Sequence, residues 1–192
     1  MSGVRWASAA GLAALLAACG GVATRPMQFV AEPRQAPSAG GGAGCLVNVL
    51  AIEDKRDSAS SFGSSANFEQ FANNVPDWVK SAVKSLDGHG RKVVISDPGT
   101  GTASPDALAV TVRIHRAYVH GMVTSRTSQV VLSNQYERAG KVLGTQFYRG
   151  SDTSVSWSSS PEEVEGGMNA AMNVALAAMS KDLDRYCAGK QN

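Results

Sequence analysis

The sequence contains no apolar run long enough to cross a bilayer, which needs roughly 20 consecutive apolar residues. Its longest run, residues 6–16, is about half that length and follows a single basic residue, Arg5. A basic start followed by an apolar stretch of this size is typical of a secretory signal peptide. Because nothing after it could stop transfer, we expect export of the chain rather than a membrane span.

The charged residues form no basic run or arm. The chain has 18 Lys and Arg against 16 Asp and Glu, and removing residues 1–18 takes away only Arg5, so the formal charge falls from +2 to 17 − 16 = +1. A nucleic-acid-binding protein normally concentrates its basic residues in a patch or stripe. The scattered charges therefore argue against nucleic acid as a partner.

Local signatures of catalysis and of metal binding are also missing. The sequence has no G-x-S-x-G elbow, and neither Cys45 nor Cys187 has a second cysteine or a histidine at the spacing of a zinc ligand. The glycine-rich residues 99–101 lack the lysine of a phosphate-binding loop. We therefore expect no catalytic residue, no metal site and no cofactor, and we do not expect an enzyme.

The remaining ionisable residues are better explained by structure than by chemistry. His115 and His120 lie five residues apart on one predicted strand, so they should point to opposite faces and are not expected to share a metal. Asp54 and Asp57 have two basic residues between them as counter-ions. We interpret this segment as a solvated loop in which Asp54 or Arg56 ties the end of the first strand to the helix.

Residues 16–19, Leu-Ala-Ala-Cys, resemble the lipobox of bacterial lipoproteins. Small residues before the cut fit the signal peptidase, and the thiol of Cys19 is the atom that receives diacylglycerol. The alternative is an ordinary secretory signal with an A-x-A-like site and an incidental cysteine. Bacterial sorting implies that Gly20, which is not acidic, favours the outer membrane, so we expect a lipid-anchored protein whose domain lies in the periplasm.

Composition divides the mature chain into a tether and one domain. Residues 19–44 are rich in Gly, Ala, Pro and Gln and cannot bury enough apolar surface to order themselves, which predicts a lipidated flexible tether. Residues 45–187 are enough for a single domain with one core, and residues 188–192 form a C-terminal tail.

Lipidation of Cys19 leaves Cys45 and Cys187 as an even pair in an oxidising compartment. One cysteine comes just before the first predicted strand and the other at the end of the last predicted helix. We predict a disulfide that closes almost the whole domain, with two free thiols as the alternative.

The first half of the domain predicts a strand and a helix. Residues 46–52 are almost continuously apolar, as in a central strand, and residues 58–65 resemble a Ser/Gly-rich loop. Apolar residues then recur every three or four positions over residues 68–86, the pattern of a helix packed on a sheet. Since Pro76 cannot lie deep inside it, either a short helix ends near Asn74 or Asn74 caps a new helix with Pro76 in its first turn.

The second half predicts more strands and a long helix. Residues 92–96 form a short strand, and residues 108–114 alternate with the period of two of a half-buried strand. Residues 123–136 and 141–148 predict two further strands joined by a hairpin, and residues 160–186 begin with a helix cap. We expect an α+β fold, a two-layer sandwich in β-α-β-β-β-α order with two main helices on one face of a mostly antiparallel sheet.

With these features the chain resembles the YajG family of bacterial lipoproteins over nearly the whole mature domain. The matching features are the lipobox at Cys19, the run Glu-Asp-Lys-Arg at residues 53–56, the strand over residues 108–118, the following meander and the last helix with Asn169. The resemblance implies an uncharacterised outer-membrane lipoprotein, with a more distant likeness to auxiliary lipoproteins of envelope lipid transport.

Two functions remain open. In the first, the domain is an interaction or accessory module whose exposed strand face or edge docks an unknown envelope protein. The candidate partner-binding residues are Arg113, His115, Tyr118 and Tyr148. In the second, it carries a lipid or another small apolar ligand between helix and sheet, where Met168, Met172 and Met179 either line a groove or form simple core. A cavity of the order of several hundred Å³ there would favour the carrier, and a closed core the module.

Overall fold

The computed structural model describes residues 23–31, 44–65, 68–88, 90–96, 104–122, 124–155 and 160–189. The predicted acylation site Cys19 and the predicted signal peptide lie outside these ranges. In chain order the elements are β1 (Ala23–Pro26), β2 (Cys45–Asp54), β3 (Ser61–Ser65), β4 (Phe68–Phe71), α1 (Val75–Lys84), β5 (Arg91–Ile95), β6 (Leu108–Gly121), β7 (Ser125–Arg138), β8 (Lys141–Val155) and α2 (Pro161–Cys187). The predicted α+β class is confirmed.

The sheet is organised around β6. One edge of β6 pairs antiparallel with β7, which in turn pairs antiparallel with β8. The other edge pairs in parallel first with β2 and then, further along, with β3. The sheet continues beyond β2 to β5, and beyond β3 to β4 and β1. The predicted meander is therefore present, and β2 is a central strand with a parallel neighbour on each side.

Both helices cover the same face of this sheet. Helix α1 packs against β2 and β5, α2 packs against β6, β7 and β8, and the two helices contact each other. Val47 and Val49 of β2 are fully buried beneath them, as are Val110 and Ile114 of β6, because alternate strand residues point to the helices. Within the described part of the chain, neither helix combines the length and the apolarity needed to cross a membrane.

Helix α1 is shorter than the helix predicted over residues 68–86. Residues 68–71 form a strand instead, paired with both β1 and β3, and part of the predicted loop 58–65 becomes β3. The helix begins at Val75 with Asn74 at the N-cap and Pro76 in the first turn, which is the second of the two alternatives. Pro76 stops the helix from extending backwards, so the preceding backbone finds its hydrogen bonds in the sheet.

The N-terminal segment departs from the predicted flexible tether. Residues 23–26 form β1, and Met27 and Phe29 are buried in the core. The ring of Phe29 lies 4.9 Å from that of Phe62 and 5.0 Å from that of Trp78, measured between centroids. Two large apolar side chains within a Gly- and Pro-rich segment are enough to bind residues 23–31 to the domain.

Asn169 of α2 holds the same segment by hydrogen bonds. Its Nδ2 donates to the carbonyl oxygen of Val30 at 2.9 Å, and its Oδ1 accepts from Nε1 of Trp78 at 2.8 Å. Asn74 acts in the same way on Phe29, donating to its carbonyl and accepting from its N–H. The two asparagines therefore give backbone partners to a segment that is not regular sheet.

The end of α2 is fastened twice to the sheet. A disulfide joins Cys45 at the start of β2 to Cys187, the last residue of α2, with 5.7 Å between the Cα atoms and 142 residues of sequence separation. Beside it, the buried guanidinium of Arg91 donates to the carbonyl and the hydroxyl of Ser180 and forms an ion pair with Asp184. The C-terminal turns of α2 are thus held to β2 covalently and to β5 by hydrogen bonds.

A chain of hydroxyl groups runs through the core between α2 and the sheet. Nδ2 of Asn134 donates to the hydroxyl of Tyr136 at 3.1 Å, and the hydroxyls of Tyr136 and Tyr148 are 2.7 Å apart. Tyr148 donates onward to Oδ2 of Asp182 at 2.8 Å, so Tyr136 must donate to Tyr148. Burial raises the pKa of Tyr136 to about 12 and also raises the pKa of Tyr148.

These pKa values predict an alkaline limit to stability. The phenols ionise near pH 10 in the unfolded chain but at higher pH in the folded one, so the free energy of unfolding should be level below about pH 10 and fall towards pH 12. Urea unfolding between about pH 8 and pH 11 would measure this. The variant Y136F/Y148F should lose most of the alkaline fall, and Y118F, on the open sheet face, should keep it. An unchanged fall in Y136F/Y148F would contradict the prediction.

Candidate functional site

The sheet face opposite the two helices is open, since no described helix lies on it. Strand alternation brings three columns of side chains to this face, from β6, β7 and β8. The register places Arg113 beside Ser133 and Ser133 beside Phe147. The next row consists of Arg116, Val131 and Arg149. Two arginines from β6 and one from β8 therefore lie around an aromatic side chain.

We refer to five residues of this face as the basic patch. They are Arg113, His115, Arg116, Phe147 and Arg149. Phe147 is 65% exposed, an unusual position for a large apolar side chain in a regular strand. His115, Arg116 and Arg149 are exposed as well. The basic patch is thus a solvent-facing surface that combines guanidinium groups with an aromatic ring.

Contacts with two neighbouring side chains fix the orientation of the His115 ring in the patch. His115 shares a 2.7 Å hydrogen bond between its Nε2 and the hydroxyl of Ser133, and its ring lies 5.5 Å from that of Phe147. His115 reaches this position because it lies at a register irregularity of β6, between Ile114 and Arg116. A bulge of this kind redirects a side chain without ending the strand.

The two arginines of β6 have different surroundings. Arg113 Nε lies 3.2 Å from Oε2 of Glu53, and its Nη1 lies 3.3 Å from Oε1 of Gln135. Arg116 instead has its guanidinium carbon 5.0 Å from the centre of the Tyr118 ring and donates to Gln129. Arg113 therefore has a carboxylate partner, whereas Arg116 contacts neutral groups.

Glu53 is held in its ionised form. The hydrogen bond from Lys55, 3.2 Å away, and that from Arg113 hold the pKa of the Glu53 carboxyl below its usual range, although partial burial opposes them. All three groups are partly exposed, so we assign this cluster an orienting role and little stability.

A cleft of about 500 Å³ adjoins the basic patch. Both β2 and β3 pair with the same edge of β6, and the cleft lies between them. The pairing of β2 ends at Asp54, and that of β3 begins opposite Val119. Residues 115–118 line it on the β6 side, and Ser58, Ser61 and Ser64 line it on the other. Serine hydroxyls and charged side chains line it together with a comparable amount of apolar surface.

Gly63 positions one wall of this cleft. A side chain at Gly63 would meet the carbonyl oxygen of Val119 at 2.0 Å and the Tyr118 ring at 2.9 Å, and its φ of +110° favours glycine. A Cβ at this position would therefore displace the Tyr118 ring and the β6 backbone.

Asp54 and Arg56 form a closed pair at the base of the cleft. Arg56 Nε and Nη2 donate to Oδ1 and Oδ2 of Asp54 at 2.9 and 2.7 Å, and Nη2 also donates to the carbonyl of Ala59. Partial burial would raise the pKa of Asp54, but the hydrogen bonds and charge of Arg56 hold it below the usual range. The predicted tie to the helix is therefore wrong: the pair braces its own loop.

The structure separates the four predicted partner-binding residues. Arg113, His115 and Tyr118 lie on the open face or beside the cleft, whereas Tyr148 is buried beneath α2 and cannot contact a partner. Its neighbour Phe147 occupies the exposed position instead. The sequence signal for this arrangement is a glycine inside the strand, Gly150. A Cβ at Gly150 would lie 1.8 Å from the carbonyl oxygen of Ala171, so this position must face the helix. Tyr148, two residues earlier in the same strand, faces the helix as well.

The residues considered for a lipid pocket are packed in the core. Met168, Met172 and Met179 are all at most 2% exposed and belong to the core cluster beneath α2. The cleft beside the basic patch does not involve them, and neither does a second cleft of about 400 Å³ next to the disulfide. In the described ranges no three His, Cys, Asp or Glu side chains come together as a metal site would need.

Solved structures share this fold at low sequence identity. A protein of family DUF330 from Xanthomonas campestris superimposes with a TM-score of 0.54 and 10% identity, covering 84% of this chain and 99% of its own. A hypothetical protein from Chlamydia trachomatis gives 0.50 and 8%, covering 77% and 100%. At these identities the likeness shows the fold alone. A lipoprotein structure from Caulobacter crescentus, at 0.43 and 15% over 72% and 92% of the two chains, is a weaker match.

No family model matches the sequence, and no curated protein matches it. The resemblance to the YajG family therefore stays a prediction.

Proposed function

We propose that this chain is a non-enzymatic lipoprotein of the YajG type, acylated at Cys19 and anchored in the outer membrane, whose periplasmic domain docks an envelope protein through the open face of its sheet. The observation that carries the docking proposal is Phe147, an aromatic side chain 65% exposed beside arginines on β8, which among the described strands pairs only with β7. The lipobox at residues 16–19 supports the anchor.

The composition of the basic patch is that of an interface. Arg and aromatic side chains are enriched at the energetic centres of protein–protein interfaces. Here they lie on β6 and β8, and Ser133, Gln129 and Gln135 of the intervening β7 form hydrogen bonds to the residues from β6. A surface ordered before binding loses little conformational entropy when a partner arrives. The carrier hypothesis has no comparable support, because the methionines that would line its pocket are buried in the core.

Site-specific photocrosslinking tests the docking surface. Benzoylphenylalanine replaces Phe147 in the full-length, membrane-anchored protein in living cells, and the matched control places it at Val174, an apolar residue 51% exposed on the outer side of α2. We expect one reproducible envelope-protein adduct from position 147 and none of that adduct from position 174. Equal yields from both positions, or no adduct from position 147, would contradict the proposal.

Metabolic labelling with an alkynyl fatty acid tests the anchor. The wild-type protein should be labelled and recovered in the membrane fraction, whereas the Cys19→Ala variant should be unlabelled because it lacks the thiol that accepts diacylglycerol. The C45A/C187A variant should keep its label, which distinguishes Cys19 from the other two cysteines. Labelling of the Cys19→Ala variant would show that Cys19 is not the acylation site.

A further inference from the structure

Positive charge is concentrated on the open sheet face by folding. Three arginines of the basic patch and Lys55 lie on this side of the sheet with Glu53 and Glu137, so the formal charge of these groups is 4 − 2 = +2. The positive charge is local to the arginines around Phe147, since Asp57 and Glu69 line the adjoining cleft.

Among the described residues, two of these cations have no carboxylate partner. Arg113 is paired with Glu53, but in the described part of the chain neither Arg116 nor Arg149 forms an ion pair. They flank Val131 in one row of the sheet, so their Cα atoms are two strand spacings apart, about 10 Å. Two exposed and unneutralised guanidinium groups on a rigid surface match two carboxylates of a partner.

We propose that the basic patch binds an acidic segment of a protein partner, whose carboxylates pair with Arg116 and Arg149 while an apolar side chain of the same segment packs on Phe147. This inference rests on the proposed docking function and adds the chemistry of the partner. The aromatic ring supplies the desolvated centre of the contact, and the two arginines in the neighbouring row of the sheet supply orientation and selectivity.

The chemistry of the patch favours a protein over an anionic bilayer as the occupant. The cations beside Phe147 are spaced singly on β6 and β8. Membrane-binding basic segments instead cluster about four to eight Lys or Arg residues together in the sequence.

Charge reversal in the crosslinking system tests the proposal. The probe stays at position 147 of the full-length anchored protein, and the variant is R116E/R149E. The matched control is K80E/K181E, which changes the net charge equally at exposed lysines of α1 and α2. The conservative variant R116K/R149K keeps both charges. We expect R116E/R149E to reduce the adduct about tenfold or more, K80E/K181E to leave it unchanged, and R116K/R149K to retain most of it.

The outcomes separate this inference from the proposed function. An envelope-protein adduct that is insensitive to R116E/R149E would overturn the acidic partner and leave the docking function standing. Reduction by K80E/K181E to the same extent would assign the effect to net charge and also overturn the inference. Crosslinking of position 147 to phospholipid, read by mass spectrometry, would replace the protein partner by a membrane. Absence of any adduct would overturn both proposals.

Discussion

Replacing Gly150 by alanine is expected to destabilise this domain strongly. A Cβ at this position would lie 1.8 Å from the carbonyl oxygen of Ala171, 2.8 Å from its carbonyl carbon and 3.0 Å from the backbone nitrogen of Ala175. These atoms belong to the backbone of α2 and cannot rotate away, so the helix must move off the sheet. We expect a loss of about 3 kcal/mol or more in the free energy of unfolding, and a Tm lower by about 10 °C.

Gly166→Ala is the matched control. Gly166 lies on the exposed side of the same helix, and a Cβ added there would have no atom within 4 Å, so alanine should stabilise the domain by about 0.5–1 kcal/mol through helix propensity. Urea and thermal unfolding of both variants measure the two effects. A Gly150→Ala variant as stable as the wild type would show that α2 does not pack on β8 at this point.

Removing the disulfide is expected to have an effect of similar size. The bond between Cys45 and Cys187 spans 142 residues, and the chain-entropy estimate for a loop of this length is about 5 kcal/mol. Because native strain and residual structure in the unfolded chain reduce that figure, we expect C45A/C187A to lose about 3–5 kcal/mol. The variant should still fold at low temperature, since Arg91 continues to hold the end of α2.

Reduction of the wild-type protein provides an independent control for this prediction. Urea unfolding in the presence of a thiol reductant should give the same midpoint as C45A/C187A in its absence, and the reductant should not shift the variant further. If the variant and the oxidised wild type unfold at the same urea concentration, the disulfide contributes nothing to the stability of the domain.

Elements with a long and regular pattern were predictable from the sequence. The period of two in β6, the apolar run of β2 and the Ser-Pro-Glu-Glu start of α2 all correspond to elements of the structure. The error over residues 68–71 has a physical reason: four residues with two phenylalanines fit a helical spacing as well as a strand, and pairing with β1 and β3 decides between them. Pairing partners that are far apart in sequence leave no local signal.

The candidate site was also predictable only in part, since local periodicity is visible in the sequence and strand register is not. The alternation of β6 predicts Arg113 on the open face, because it depends only on local periodicity. Tyr118 has the opposite parity and reaches the same face only through the register irregularity between Ile114 and Arg116. Arg149 and Phe147 were missed because their position beside Arg116 depends on the register of β8 on β7. Shifting that register by one residue would exchange Phe147 for Tyr148 at the surface. The contact of Gly150 with α2 and the hydrogen bonds of Tyr148 with Tyr136 and Asp182 fix the choice.

The packing of residues 23–31 against the core also limits where this domain can meet another molecule. If Cys19 carries the acyl chains, as proposed, only three residues separate it from β1, and the chain between Cys19 and Ala23 can extend at most about 14 Å. The domain is then held close to the lipid headgroups and can reach only a small volume around its anchor. A partner must therefore come within about one domain diameter of the membrane surface, which favours molecules that are themselves resident there over those that diffuse through the periplasm.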